Sequence, residues 1–202
     1  MSDDNQSVNR KWTVFAVVTV LSLVADQVTK IWARASLPVN PHGCAIPDDF
    51  KTGHCGGVAK TVIDGFWDWR LSMNPGSAFG LFSSQNGARV FLSIVGIAAV
   101  IYMLFMLRRS RADQKVLHVA LGLVAAGAIG NLIDRIYFGV VTDFILWHWH
   151  EHEWPVFNVA DVVLVVGVGL MFIDIQKENK REKAAKAEKI KKAKAEGLVK
   201  DL

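Results

Sequence analysis

VLHVALGLVAAGAIGNLIDR, residues 116–135, opens with eighteen uncharged residues and closes on an adjacent acid and base, Asp134 and Arg135. About 20 predominantly apolar residues cross the roughly 30 Å hydrocarbon core of a bilayer, so the stretch reads as a transmembrane helix with a charged end. Three comparable runs lie around it. Lys11 and Asp26 bound 14 uncharged residues, prolonged by Ile31, Trp32 and Ala33. Arg89 and Arg108 bound 18, and Glu153 and Asp174 bound 20 residues with one charge, Asp161. The fold class expected is membrane all-α, a four-transmembrane-helix bundle with helices at about 12–34, 89–108, 115–136 and 155–175. A cleaved signal peptide is rejected for the first run, because Asp26, Lys30, Ile31, Trp32 and Arg34 continue the helix where small residues should follow.

These runs explain a chain of 202 residues that is 51% apolar and only 21% charged. Its net charge of +4 divides unevenly. Residues 177–202 hold ten Lys/Arg against five Asp/Glu, and residues 1–176 hold thirteen against fourteen. The body is neutral and apolar, so no nucleic-acid partner is expected. The division expected is a membrane domain over 1–176, with an outer-face insert at 37–88, and a basic cytoplasmic tail over 177–202 that is a solvated helix or disordered. Arg10 and Lys11, the joint with Arg108, Arg109, Arg111 and Lys115, and the tail all fall on one side if the chain crosses four times. By the bias of Lys and Arg towards the cytoplasm, both termini are expected there. Trp67, Trp69, Trp147, Trp149 and Trp154 fall on the outer side, as an interfacial belt does. TVIDGFWDWRLSMN, 61–74, alternates as short strands do, which suggests a small extracytoplasmic β element on the membrane surface.

Ionisable residues within spans are costly and mark function by default. Asp26, Lys30, Asp134, Arg135, Asp143 and Asp161 all fall near the outer helix ends, with Asn74, Asn131 and Asn158 beside them. Two carboxylates sharing a site do not both ionise easily, so one activates water while the other keeps a proton. That is peptide hydrolysis of the aspartic type, and the spacing alone does not say which two carboxylates pair. An ion-coupled transporter is a rival reading, but it lacks a polar path through the inner half. A scaffold held together by the polar cluster is another.

DQVTK (26–30), NPGSAFG (74–80), GAIGNLIDR (127–135), VVTDF (140–144) and FNVAD (157–161) together resemble the bacterial lipoprotein signal peptidase family, signal peptidase II. The resemblance covers about residues 12–175. It implies a metal-independent aspartic endopeptidase of the bacterial cytoplasmic (inner) membrane, with its site near the outer face. Its substrates would be diacylglyceryl-modified prolipoproteins, cut just before the lipid-modified Cys. It places the catalytic pair at Asp143 and Asp161. Asp26, Lys30, Asn74, Gly76, Asn131, Asp134, Arg135 and Asn158 become substrate-binding or supporting residues. Gly80, Phe79, Leu81 and Phe82 are expected to approach or clamp the substrate. No cofactor is implied, membrane lipids are the surroundings, and a monomer is expected. The departures are peripheral: an enlarged 37–60 insert and the long basic tail.

Two side signals remain. His148, His150 and His152 alternate as metal ligands on a strand do, although the family resembled needs no metal. Cys44 and Cys55 lie in the outer segment, where a disulfide can persist.

Overall fold

The computed structural model describes residues 2–76 and 85–195. Gly80, Phe79, Leu81 and Phe82 lie outside the described residues. Four helices are long and apolar enough to cross a membrane: α1 (Ser2–Ser36), α3 (Gln85–Arg109), α4 (Lys115–Tyr137) and α5 (Val159–Ala195). Between α1 and α3 lie β1 (Val39–Asn40), α2 (Asp48–Lys51), β2 (Gly56–Gly57), β3 (Lys60–Ile63) and β4 (Trp67–Asn74). Between α4 and α5 lie β5 (Val141–Trp149) and β6 (His152–Glu153).

The helix α4 is the centre of the bundle and packs on α1, α3 and α5. In its most apolar stretch 56% of residues are covered by protein, against 17%, 11% and 17% in α1, α3 and α5, whose outer faces are left for lipid. Lipid is as apolar as leucine, so helices in a bilayer associate through close contact between small residues. Ala120, Gly122, Ala125, Ala126, Gly127, Ala128 and Gly130 supply that contact surface, and all are buried. A Cβ on Gly127 would lie 2.4 Å from the Ala160 carbonyl oxygen, so the backbones of α4 and α5 touch there.

At the end of the bundle away from the strands, Phe15, Met103, Leu107, Leu117 and Leu121 form an apolar core. There Lys11 Nζ donates to the Arg108 and Ser110 carbonyls at 3.1 and 2.8 Å, closing the C-terminus of α3. Arg111 forks onto Glu178 at 2.6 and 2.9 Å, tying the α3–α4 joint to α5. Across the expected boundary at 176–177, α5 runs without interruption to Ala195. The tail is thus helical as far as it is described.

At the other end the strands form an antiparallel sheet in the order β3-β4-β5-β6. The β element expected from 61–74 is therefore larger than its sequence span. Segment 137–154 contributes β5, which pairs with β4 through Trp69↔Ile145, Ser72↔Asp143 and Asn74↔Val141. Its residues VTDFILWHW are mostly β-branched or aromatic, which suits a pleated, half-covered surface. The expected start of the fourth span at 155 is corrected to Val159. Phe157 is drawn into the sheet, exchanging backbone hydrogen bonds with Ile145 at 2.9 and 3.0 Å. A residue held in a ladder cannot also begin a helix.

Under the sheet, Ala33, Leu37, Leu71 and Phe144 are buried together, with Ile46 and Phe50 of the insert packed against them. Cys44 and Cys55 are joined by a disulfide that closes this insert. Of the belt tryptophans, Trp67 and Trp69 lie edge to face at 4.6 Å. Trp147, Trp149 and Trp154 stay exposed.

Candidate active site

Polar side chains from α1, α4, β4, β5 and the start of α5 meet where the bundle joins the sheet. On α1, residues 26, 30 and 34 share one face by four-residue spacing. Lys30 is fully buried, and its Nζ lies 3.0 Å from Asp26 Oδ2 and 3.5 Å from Asp134 Oδ2. It also donates to Asn131 Oδ1 at 2.9 Å. The two carboxylates then grip the backbone of neighbouring elements. Asp26 Oδ1 accepts from the Ala160 N–H at 2.9 Å, and Asp134 Oδ2 from the Thr142 N–H at 2.8 Å. One buried cation with two anions thus fixes where α5 begins and where β5 lies.

Asp143 and Asp161 are held differently. Asp143 sits on β5 and is 2% exposed; its oxygens accept from Asn158 Nδ2 at 2.7 Å and Asn74 Nδ2 at 3.0 Å. Asp161 Oδ1 accepts from Asn131 Nδ2 at 2.8 Å. Asn158 Oδ1 accepts from the Asp161 N–H at 3.0 Å, while Asp161 Oδ2 accepts from the Asn158 N–H at 3.2 Å. This reciprocal pairing is a capping box at the N-terminus of α5, which satisfies two backbone donors and pins the Asp161 side chain. Because Asn158 also reaches Asp143, the cap of α5 couples the two carboxylates. Among the described residues, no Lys or Arg forms an ion pair with either one. Burial, and then the charge of Asp161, push the Asp143 carboxyl up to about 7.

Asn131 joins the two groups, accepting from Lys30 and, at 3.1 Å, from Asn158 while donating to Asp161. Asn74 takes its position from Gly76, whose N–H donates to Asn74 Oδ1 at 2.8 Å in a backbone conformation with φ +83° that favours glycine. Arg135 turns back on its own helix and donates to the Asn131 carbonyl at 3.3 Å.

Three contributors escaped the sequence reading. Arg34 donates to Thr142 Oγ1 at 2.7 Å and lies 3.7 Å from Asp134 Oδ1. Gln27 donates to Asp26 Oδ2 at 2.9 Å and to the Gly130 carbonyl at 3.2 Å. The four-residue step from Lys30 was the available signal for Arg34, and Gln27 and Thr142 lie inside the DQVTK and VVTDF motifs without being singled out there.

Gly130 shows how tightly the cluster is packed, since a Cβ there would lie 2.4 Å from Asp26 Oδ2. Gly130→Ala is expected to cost about 1–3 kcal/mol by overpacking, read as a lower unfolding temperature in detergent. Gly169→Ala, whose Cβ meets nothing within 4 Å, is the control and should be neutral or slightly stabilising.

The three histidines do not gather. His148 Nε2 lies 3.2 Å from Asp68 Oδ2 without hydrogen-bond geometry, and His150 occupies the hairpin turn at φ 53°. Among the described residues the one grouping with metal-ligand proximity is Cys44, Asp49 and Cys55, whose two sulfurs are bonded to each other.

The chain has relatives among known proteins. A family model described as Signal peptidase (SPase) II matches residues 18–177. A lipoprotein signal peptidase of Geobacter metallireducens is 34% identical, aligned over 85% of this chain and 95% of its own length. That of Symbiobacterium thermophilum is 37% identical over 79% and 91%, and that of an Anaeromyxobacter species 41% identical over 81% and 84%. Among solved structures, a bacterial membrane enzyme obtained by the in meso method superposes with a TM-score of 0.66 at 27% identity, over 83% of this chain and 90% of that one. The family match reaches into all four membrane helices and covers every described polar residue of the site, and the chain belongs to the signal peptidase II family.

Proposed function

We propose that this multi-pass membrane protein is an aspartic endopeptidase that removes signal peptides from diacylglyceryl-modified prolipoproteins, cutting just before the lipid-modified Cys, with Asp143 and Asp161 as its catalytic pair. The observation that carries the reading is the division of the four carboxylates. Asp26 and Asp134 are neutralised by Lys30. Asp143 and Asp161 face each other's charge with neutral amides as side-chain hydrogen-bond partners, while Arg135 and Lys30 act on them at longer range without an ion pair among the described residues. Like charges in a dry site favour one shared proton, the condition for acid–base work by a carboxylate pair.

Asp143, the more buried of the two, holds the proton; Asp161, half-buried at the edge of the sheet, is the base. Asp161 takes a proton from a water, whose oxygen bonds to the scissile carbonyl carbon as Asp143 protonates the carbonyl oxygen. The resulting diol collapses: one of its hydroxyl protons returns to Asp143, the C–N bond breaks, and the leaving nitrogen receives the proton now on Asp161, which restores the starting pair. No step requires a metal. Asn158 and Asn131 keep both carboxylates in register, and Asn74 holds Asp143 from the β4 side.

By the placement of basic residues, both termini face the cytoplasm of a bacterial inner membrane and the sheet lies on the outer face. Residues 1–176 make up the peptidase unit, with 177–202 as its cytoplasmic tail. The unit acts as a monomer among membrane lipids, because one chain supplies both carboxylates and their supports.

The test is purified enzyme in proteoliposomes with a diacylglyceryl-modified prolipoprotein and its unmodified form. Cleavage of the modified form alone, at the bond before the modified Cys and undiminished by a chelator, is the expected result. Equal cleavage of the unmodified form, or cutting elsewhere, would overturn the substrate assignment.

A pH dependence follows. The pair carries its proton below about pH 7 and loses it above. On the alkaline side kcat is expected to fall about tenfold per pH unit. A rate still rising between pH 7 and 9 would contradict a protonated Asp143.

A further inference from the structure

Beside Asp161 the surface opens into a groove of about 310 Å³ lined by Trp147, Trp154, Phe157, Val162, Val165 and Val166. Its floor is the first two turns of α5, where residues 162, 165 and 166 share a face with Asp161. These valines are 41%, 69% and 48% exposed within a membrane-spanning helix, so the groove is open sideways to lipid. Its upper wall is aromatic and comes from the sheet, with Trp147 edge-on to Phe157 at 5.0 Å. Among the described residues, the one ionisable group lining it is a carboxylate of the proposed pair. Nothing in the hydrolytic chemistry uses this feature.

We propose that the groove holds one acyl chain of the substrate's diacylglyceryl group, and that Val162, Val165 and Val166 with Trp147 and Trp154 position the lipid-modified Cys against Asp161. The inference rests on the proposed function and deepens it. Composition selects the occupant: apart from Asp161 the described lining is apolar, which suits a hydrocarbon chain whose polar end stops at that carboxylate. Direction selects it too. A chain seated on Val165 and Val166 runs down α5 into the bilayer, which leaves its ester end level with Asp161. Transfer from bilayer to groove removes no hydrocarbon from water, so the groove acts by alignment more than by added affinity. Alignment of the reacting bond appears in kcat/KM.

The experiment uses a prolipoprotein with a diazirine midway along one acyl chain of its diacylglyceryl group, photolysed on the enzyme in proteoliposomes. Phosphatidylglycerol with the same acyl chain, and a prolipoprotein with the diazirine in the apolar part of its signal peptide, are run in parallel. The proposal expects label from the substrate lipid to concentrate within residues 147–166, and the other two probes to label that region at least several-fold less. Val165→Trp, which fills an exposed site without touching the core, should displace that label. It should also lower kcat/KM about tenfold or more, whereas Ile101→Trp on the exposed face of α3 should do neither.

Equal labelling by phosphatidylglycerol would make the groove a general lipid site and overturn the proposal. So would preferential labelling by the signal peptide, or substrate label spread over α1 and α3. Each of these leaves the Asp143–Asp161 assignment intact, because that stands or falls on turnover by the carboxylate variants.

Discussion

Asp143→Asn and Asp161→Asn are each expected to lower turnover by about 10³-fold or more while leaving a folded enzyme, since each removes one half of the proposed proton relay. For Asp143→Asn, stability is expected to move the opposite way. Its carboxyl is 2% exposed, and burial with the charge of Asp161 pushes it up to about 7, above its ordinary 3.8, so the native state resists its ionisation. The sign follows. Below about pH 4 the group is protonated whether folded or unfolded, and the substitution gains nothing. Between pH 4 and 7 the unfolded chain releases the proton and the native state does not, so the native state is increasingly disfavoured. Above 7 the penalty is constant. Three pH units correspond to about 4 kcal/mol, and an amide facing both Asn74 and Asn158 forfeits about 1–2 kcal/mol of hydrogen bonding. Asp143→Asn should therefore be about 2 kcal/mol more stable than the parent at pH 8 and no more stable at pH 4. Thermal unfolding at the two pH values checks this, and a loss of stability at pH 8 would mean the carboxylate is structurally required.

Lys30→Met is expected to have the largest effect on folding. The lysine is completely buried between Asp26 and Asp134, and those carboxylates hold the first turn of α5 and the start of β5 by their backbone N–H groups. Removing the cation leaves the buried Asp26 uncompensated and Asp134 with only Arg34, at 3.7 Å, and breaking such a pair from one side costs about 3–5 kcal/mol. Activity is lost as a consequence, because the positions of Asp143 and Asp161 depend on the same elements. Adding Asp26→Asn to Lys30→Met should recover part of the stability, since one unpaired charge then disappears. A Lys30→Met protein as stable as the parent would show that water already compensates these carboxylates.

What was legible from the sequence was whatever is local. Eighteen uncharged residues between Lys115 and Asp134 suffice for a membrane helix, and α4 runs from Lys115 to Tyr137. Four-residue spacing suffices to pair Asp26 with Lys30. The motif set led to the family to which the chain belongs. What escaped depends on contacts between distant segments. The strand β5 exists because β4, some seventy residues earlier, offers it a partner, as in the contact between Asn74 and Asp143. The start of α5 is set by Phe157 pairing with Ile145, which no helical periodicity records. By spacing alone the four carboxylates of one layer are equivalent, and only the folded chain brings Lys30 against two of them. The groove beside Asp161 was invisible for the same reason, because its two walls come from different secondary structures and meet only in space.

The most direct measurement of the central claim is a single-turnover reaction in proteoliposomes. A diacylglyceryl-modified prolipoprotein is supplied at less than stoichiometric amounts to the parent, Asp143→Asn and Asp161→Asn enzymes, each first shown to be folded by its thermal transition. The account predicts conversion to mature lipoprotein by the parent and intact, lipid-modified precursor with both variants. Mature lipoprotein formed at the parental rate by either variant would contradict it.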